Sequence, residues 1–198
     1  HRSGFTDVLY RWSRGDTKPA KIRDGIVAAA WIPDAASRPP PEVAVIGGAG
    51  VPRNAVRILD TRDGREVRRV ETGPDPVVGL AATPNGARLV VATRPAGASG
   101  CAGDMTAVDV ATGARQRILG EGATPVVNRN GLAAYPIRCD DITLGFTDLR
   151  SGDNSRSDPL ADVASEASPR VEMVEPLGWS PDGTRLLYRL RLRGDPRL

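Results

Sequence analysis

Trp179-Ser180-Pro181-Asp182-Gly183-Thr184-Arg185-Leu186-Leu187-Tyr188 is the stretch that decides the fold. Pro-Asp-Gly is a turn: proline presets the first φ, aspartate bonds amides just beyond it, and glycine takes the left-handed position. The short apolar run that follows has strand length, so the segment reads as a β-hairpin. Thr83-Pro84-Asn85-Gly86 before Leu89-Val90-Val91 is a second copy, and Asn128-Arg129-Asn130-Gly131 before Leu132-Ala133-Ala134-Tyr135 a looser third. A different turn alternates with it: Asp60-Thr61-Arg62-Asp63-Gly64, Asp109-Val110-Ala111-Thr112-Gly113 and Asp148-Leu149-Arg150-Ser151-Gly152. Both recur at intervals of ~40–50 residues, the period of a four-stranded propeller blade.

Two alternating hairpin turns define a unit of four antiparallel strands, a to d, with one signature joining a to b and the other joining c to d. Degenerate earlier copies fall at Arg11-Trp12-Ser13-Arg14-Gly15 and at Trp31-Ile32-Pro33-Asp34, the latter lengthened by residues 35–41. The chain therefore reads as one all-β domain over residues 1–198. A c–d hairpin (5–23) leads into three whole blades (26–73, 77–120 and 124–160), and an a–b hairpin (174–193) follows. The terminal hairpins are complementary halves of one blade. Either they close a four-blade ring, with Leu186 to Leu190 beside Val8 to Trp12 in one chain or between two copies, or the chain is a slice of a larger ring.

The Trp179–Tyr188 segment resembles the repeat core of TolB-type and related WD-repeat-like bacterial β-propellers. The resemblance implies that Trp179 packs between blades while Pro181-Asp182-Gly183 forms the exposed a–b turn. The second copy keeps Pro84, Gly86 and Arg88 but carries Ala82 at the tryptophan position, and the third lacks both proline and tryptophan. The motif is one of folding and implies no activity of its own.

Composition agrees with a turn-rich β structure: 22 glycines, 17 prolines and 40% apolar residues in 198. No apolar run reaches the ~20 residues that cross a bilayer. No leader is visible at His1-Arg2-Ser3-Gly4, so membrane contact would come through sequence outside these 198 residues.

The residue types exclude several chemistries. The single histidine is His1, which removes Ser-His-Asp and Cys-His catalysis and histidine-ligated metal or haem. Asp140-Asp141 is the one adjacent acidic pair singled out, but neighbours in a strand point to opposite faces, and in a turn they bond local backbone. Gly47-Gly48-Ala49-Gly50 and Gly97-Ala98-Ser99-Gly100 lack the Lys-Ser/Thr of a phosphate loop and read as b–c loops. Asp60, Asp109 and Asp148 read as acceptors for turn amides, without the oxygen density of a calcium loop. No cofactor or metal is expected.

Two features remain. Cys101 and Cys139 fall in equivalent b–c connections of neighbouring blades, where a disulfide would lock the two together. In the chain-entropy model such a closure contributes ~3–4 kcal/mol. It would place the protein in an oxidising, extracytoplasmic compartment, whether secreted, periplasmic or surface-anchored. The alternative is two unpaired loop thiols. The second feature is charge, because both ends of the chain are basic. Arg189, Arg191 and Arg193 alternate with Leu190 and Leu192, giving one strand an arginine face and a leucine face. That face could dock an acidic protein, an anionic polymer or lipid headgroups, or it could serve only solubility and edge protection. Nucleic acid is not expected, since no stacking aromatics interleave with the arginines.

The expected function is a non-enzymatic, extracytoplasmic propeller that binds a protein or cell-envelope component through one face. The alternatives are the propeller part of a larger peptidase or lyase, and a ligand-sensing ectodomain of a membrane receptor.

Overall fold

The computed structural model describes residues 7–12, 14–32, 42–47, 53–98, 103–118, 124–138, 142–157 and 170–193. Among them every regular element is a strand, sixteen in all. A hairpin of β1 (Val8–Arg11) and β2 (Ala20–Asp24) comes first. Blade one is β3 (Ile26–Ile32), β4 (Glu42–Gly47), β5 (Ala55–Asp60) and β6 (Glu66–Glu71). Blade two is β7 (Val77–Ala82), β8 (Arg88–Thr93), β9 (Asp104–Asp109) and β10 (Arg115–Ile118). Blade three is β11 (Val126–Val127), β12 (Leu132–Arg138), β13 (Ile142–Asp148) and β14 (Asn154–Ser157). A second hairpin, β15 (Arg170–Trp179) and β16 (Leu186–Arg193), ends the series. Each blade is an antiparallel meander, the propeller arrangement that the turn signatures imply.

The two turns are built as their sequences require. In the a–b turns, Gly86, Gly131 and Gly183 donate to the carbonyls of Thr83, Asn128 and Ser180 at 2.8–3.0 Å. In the c–d turns, Gly64, Gly113 and Gly152 donate to Asp60, Asp109 and Asp148 at 2.8–2.9 Å. All six glycines have φ between 65° and 85°, the left-handed region where a Cβ is penalised. Asn128-Arg129-Asn130-Gly131 therefore makes the same turn without its proline, because Asn128 accepts the amides of Asn130 and Leu132 at 2.9 Å.

Packing explains why the middles of the b strands in the whole blades are apolar on both faces. Leu89 and Val91 of β8 face blade one, where they meet Ile46, Val56 and Ile58. Val90 and Ala92 face blade three, where they meet Ala133, Tyr135 and Ile137. A strand covered on both faces loses the usual apolar–polar alternation. Likewise Val43 and Val45 of β4 pack with Leu9 and Ile22 of the first hairpin, while Ala44 and Ile46 turn to blade two. The innermost strands follow one another in space, with β3 against β7, β7 against β11 and β11 against β15.

Arginines tie neighbouring blades at one recurring position, the residue that follows the c–d turn aspartate. Arg11 donates to the carbonyl of Thr61 at 3.4 Å, Arg68 to that of Val110, and Arg88 to that of Leu149 at 3.3 Å. Arg115 adds a bond to the Glu71 carbonyl across the joint of blades one and two.

One boundary needs correction. Strand β15 begins at Arg170 rather than near 174, because the long β16 carries its pairing down to Arg170↔Arg193 across two register shifts. Of the two arrangements the sequence leaves open for the ends, pairing of β16 with β1 within the chain is not found among the described residues. Each forms the open edge of its own two-stranded sheet, so the described residues make an open arc and not a closed four-blade ring.

Candidate docking site

The aspartates singled out by the repeats serve the turns. Asp60 Oδ1 accepts the Arg62 amide at 2.9 Å, Asp109 Oδ1 the Thr112 amide at 2.7 Å, and Asp148 Oδ1 the Arg150 amide at 2.7 Å. The Arg62 side chain also forks onto Asp60, and that pairing holds the Asp60 carboxyl below the usual range. The Thr112 amide and hydroxyl do the same for Asp109. Among the described residues no group of three or more His, Cys, Asp or Glu side chains converges on one point. Cys101, Cys139, Asp140, Asp141 and most of the two glycine-rich loops lie outside the described residues. Their flanks place Cys101 between β8 and β9, and Cys139 between β12 and β13, in chain order.

On β16, Arg189 and Arg191 are exposed and alternate with the half-buried Leu190 and Leu192. Leu190 pairs with the buried Val174 and Leu192 with Val171, whereas Arg189 pairs with Glu175 and Arg191 with Met173. Arg189 also makes an ion pair with Glu175, which offsets part of the positive charge of that face. Arg193 pairs with Arg170 at the end of the ladder.

A buried arginine not anticipated from sequence sits beside the first hairpin. Arg57 of β5 is 2% exposed and donates to the Gly47 carbonyl, with Glu66 Oε2 at 4.0 Å. Burial, reinforced by nearby Arg23, disfavours its charge. Between blades two and three, a crevice of about 100 Å³ is lined by Ala107, Gln116, Ile118, Thr147 and Leu149. It is smaller than the ~300 Å³ at which ligand pockets begin.

The most unusual surface is apolar, and it lies at the two ends. At the first hairpin Leu9 packs inward, and its neighbour Tyr10 points out with Trp12, 62% exposed. On β3, Ile32 faces blade two, while Trp31 is 53% exposed and Val27 is exposed at the bulged start of the strand. At the other end, Leu177 and Leu187 are exposed, and an open groove of about 460 Å³ runs between them and Trp179, Arg185 and Leu186. Trp179 itself is half-buried. It meets the Phe146 ring edge-on at 6.3 Å between centroids, and its Nε1 donates to the Val126 carbonyl at 3.3 Å.

These exposures follow from the repeat. In the aligned motifs Pro84-Asn85-Gly86-Ala87-Arg88-Leu89-Val90 and Pro181-Asp182-Gly183-Thr184-Arg185-Leu186-Leu187, Leu187 stands where Val90 stands. Val90 is 0% exposed because blade three covers it, whereas Leu187 is 67% exposed because no strand among the described residues lies over it. The signal was present in the apolar run Leu186-Leu187-Tyr188, which is too hydrophobic for a strand with one wet face.

The sequence matches no family model and no curated protein. In three dimensions it is similar to the tricorn protease, at a TM-score of 0.57 and 18% identity over 92% of this chain. It spans 18% of the tricorn protease chain. That likeness is one of fold, to a protein that contains β-propellers, and it agrees with the blades described above.

Proposed function

We propose that the chain is a non-enzymatic, extracytoplasmic propeller segment that docks a protein partner or a cell-envelope component. The observation that carries this reading is the grouping of exposed large apolar side chains at the two ends of the arc: Tyr10 and Trp12 at the first hairpin with Val27 and Trp31 on the adjoining β3, and Leu177 and Leu187 on the last hairpin. Scattered single hydrophobes are ordinary, but grouped aromatics beside open strand edges have the composition of a protein-binding surface. Open edges also offer main-chain hydrogen bonds to an added strand. The TolB-type resemblance of the Trp179–Tyr188 repeat supports a binding role, and a Cys101–Cys139 bridge would require an oxidising compartment.

The test is chemical cross-linking to a cell-envelope extract, with the wild-type chain run beside a Trp12→Asp/Trp31→Asp variant. The expected result is a set of cross-linked partner peptides that disappears in the variant while its circular dichroism is unchanged. Identical cross-links from both proteins would refute docking through these surfaces.

A second reading rests on the likeness to the tricorn protease, in which the chain is the propeller section of a larger peptidase. A hydrolase domain in the same polypeptide would select that reading, and its peptidase activity should then respond to substitutions at the propeller ends.

A further inference from the structure

We infer that the outer edge of β10 is a peptide-docking site, taking an extended segment of a partner protein in which acidic and aliphatic side chains alternate. The site belongs to blade two, and the inference does not rest on the apolar surface at the ends of the arc. A strand edge and a side-chain crevice meet there. β10 is the last strand of its sheet, and among the described residues no strand pairs with its outer side. Its Arg115, Gln116 and Arg117 are all exposed. The crevice between blades two and three is lined by Gln116 and Ile118 of the same strand.

The repeat explains the crevice. Ile58, Ala107 and Phe146 occupy one position of the c strands, each opposite a d-strand residue: Arg68, Gln116 and Ser155. At the joint of blades one and two, Ile58 is buried and the Arg68 guanidinium crosses to the Val110 carbonyl. At the joint of blades two and three, Ala107 stands for that isoleucine and Gln116 for that arginine. Leu149 is the counterpart of Val110. Its carbonyl is taken instead by Arg88 at 3.3 Å, and the same Nη1 meets Gln116 Oε1 at 3.2 Å. The space that Ile58 and Arg68 fill in one joint is thus left as a crevice of about 100 Å³ in the next. Its walls Ala107, Ile118 and Leu149 are apolar and buried, and the Thr147 hydroxyl is already bonded to Asn154 at 2.6 Å. A cavity of ~150 Å³ holds benzene, so this one suits a single aliphatic side chain.

Strand addition supplies that side chain. A segment laid along β10 bonds its main chain to the free edge and points alternate side chains to each face. One set enters the crevice beside Gln116 and Ile118. The other lies along Arg115 and Arg117, which alternate with them on the opposite face. Opposite charges on neighbouring strands attract and like charges repel, so acidic residues fit that second set. The same arginines guard the edge against basic strands. Arg117 is 73% exposed, and its ion pair with Asp104 is of the exposed kind that rearranges at small cost. The sibling edges differ, since Arg68 fills the joint beside β6 and Phe146 backs β14.

The test is fluorescence anisotropy of the 198-residue chain with a short labelled peptide in which Glu alternates with Val. This peptide should bind, and Lys/Val and Glu/Gly peptides should each bind at least about tenfold more weakly. Ala107→Ile, which restores the isoleucine of the sibling joint, should weaken Glu/Val binding by about tenfold with an unchanged circular dichroism spectrum. Arg117→Glu should reverse the preference between the Glu/Val and Lys/Val peptides. It alters only an exposed side chain, so it decides the matter if Ala107→Ile does not fold. Absence of Glu/Val binding up to about 1 mM, equal binding of Glu/Val and Lys/Val, or an Arg117→Glu variant with the parent's preference would each overturn the inference. The Trp12→Asp/Trp31→Asp variant should bind the peptide as the parent does, so failure at β10 leaves docking through the ends untouched.

Discussion

The side-chain amide of Asn128 donates to the carbonyl of Gly183 at 2.9 Å, joining the a–b turn of blade three to the a–b turn of the C-terminal half-blade. Asn128 is 3% exposed, and its Oδ1 accepts two amides of its own turn. One side chain therefore shapes one turn and fastens the next.

Asn128→Ala should lower stability by about 1–3 kcal/mol, since buried donors and acceptors lose their partners together. Asn130→Ala, in the same turn but exposed, should stay within about 0.5 kcal/mol of the parent. Urea unfolding followed by circular dichroism measures both, and equal losses would contradict the bridging role of Asn128.

The blades were legible because turn chemistry is local. Gly64, Gly86, Gly113 and Gly183 each mark a left-handed position that no ordinary residue fills well, so their spacing read the strand order directly. The arginine ties from Arg11, Arg68 and Arg88 were not legible, since they start from three different strand types and converge only in space. Closure within the chain stayed open at the level of sequence for a related reason. Sequence shows that β1 and β16 are complementary in kind, but whether they meet depends on the angle between successive blades. No local residue sets that angle, because it sums the side-chain volumes at every blade interface. The docking surface lay between these cases: Leu187 was visible as one apolar residue too many, whereas Trp31 looked like part of an ordinary core strand.

Asp182 links stability to acid pH. The Ser180 hydroxyl and then the Thr184 amide hold its carboxyl down at about 2. A carboxylate whose folded pKa is depressed stabilises the fold above its unfolded pKa of about 4, and that contribution fades as pH falls to about 2. The melting temperature of the parent should therefore fall across this window, and Asp182→Asn should flatten part of the decline. Parallel curves for the two proteins would assign the acid loss to other groups.

Gly79 of β7 sets how closely blade three approaches the inner strands. A Cβ there would lie 2.4 Å from the Thr124 amide nitrogen and 2.9 Å from its Cα, both backbone atoms. Thr124 itself is held at φ 47°, so it has little freedom to retreat. Gly79→Ala should cost about 1–3 kcal/mol through overpacking. Gly178 of β15 has no atom within 4 Å of an added Cβ, and Gly178→Ala should be tolerated within about 0.5 kcal/mol. The pair is compared by thermal melts in one buffer, and reversal of their order would mean that the β7–β11 approach is looser than described.

Cys101 and Cys139 should be found as one cross-linked pair when protein isolated without reductant is digested and mapped. Reduction should then lower stability by roughly 3 kcal/mol, less any strain the bridge carries. Full labelling of both thiols in the native protein would remove the bridge, and with it the argument for an oxidising compartment.

Trp179 fastens the last half-blade to blade three through its ring contact with Phe146 and its Nε1 bond to Val126. Because the indole is only half-buried, Trp179→Ala should cost about 2–3 kcal/mol, below the ~3–5 kcal/mol of a fully buried tryptophan. Phe146→Leu should cost less, and the double variant should show a coupling of about 0.5–1.5 kcal/mol from the edge-to-face pair. Trp12→Ala is the control, since that ring lies open on the far hairpin and should change little in the monomer. Strict additivity of the Trp179 and Phe146 changes would mean that the half-blade is held by its aliphatic contacts, with Val174 and Leu190 carrying the joint in place of the aromatic pair.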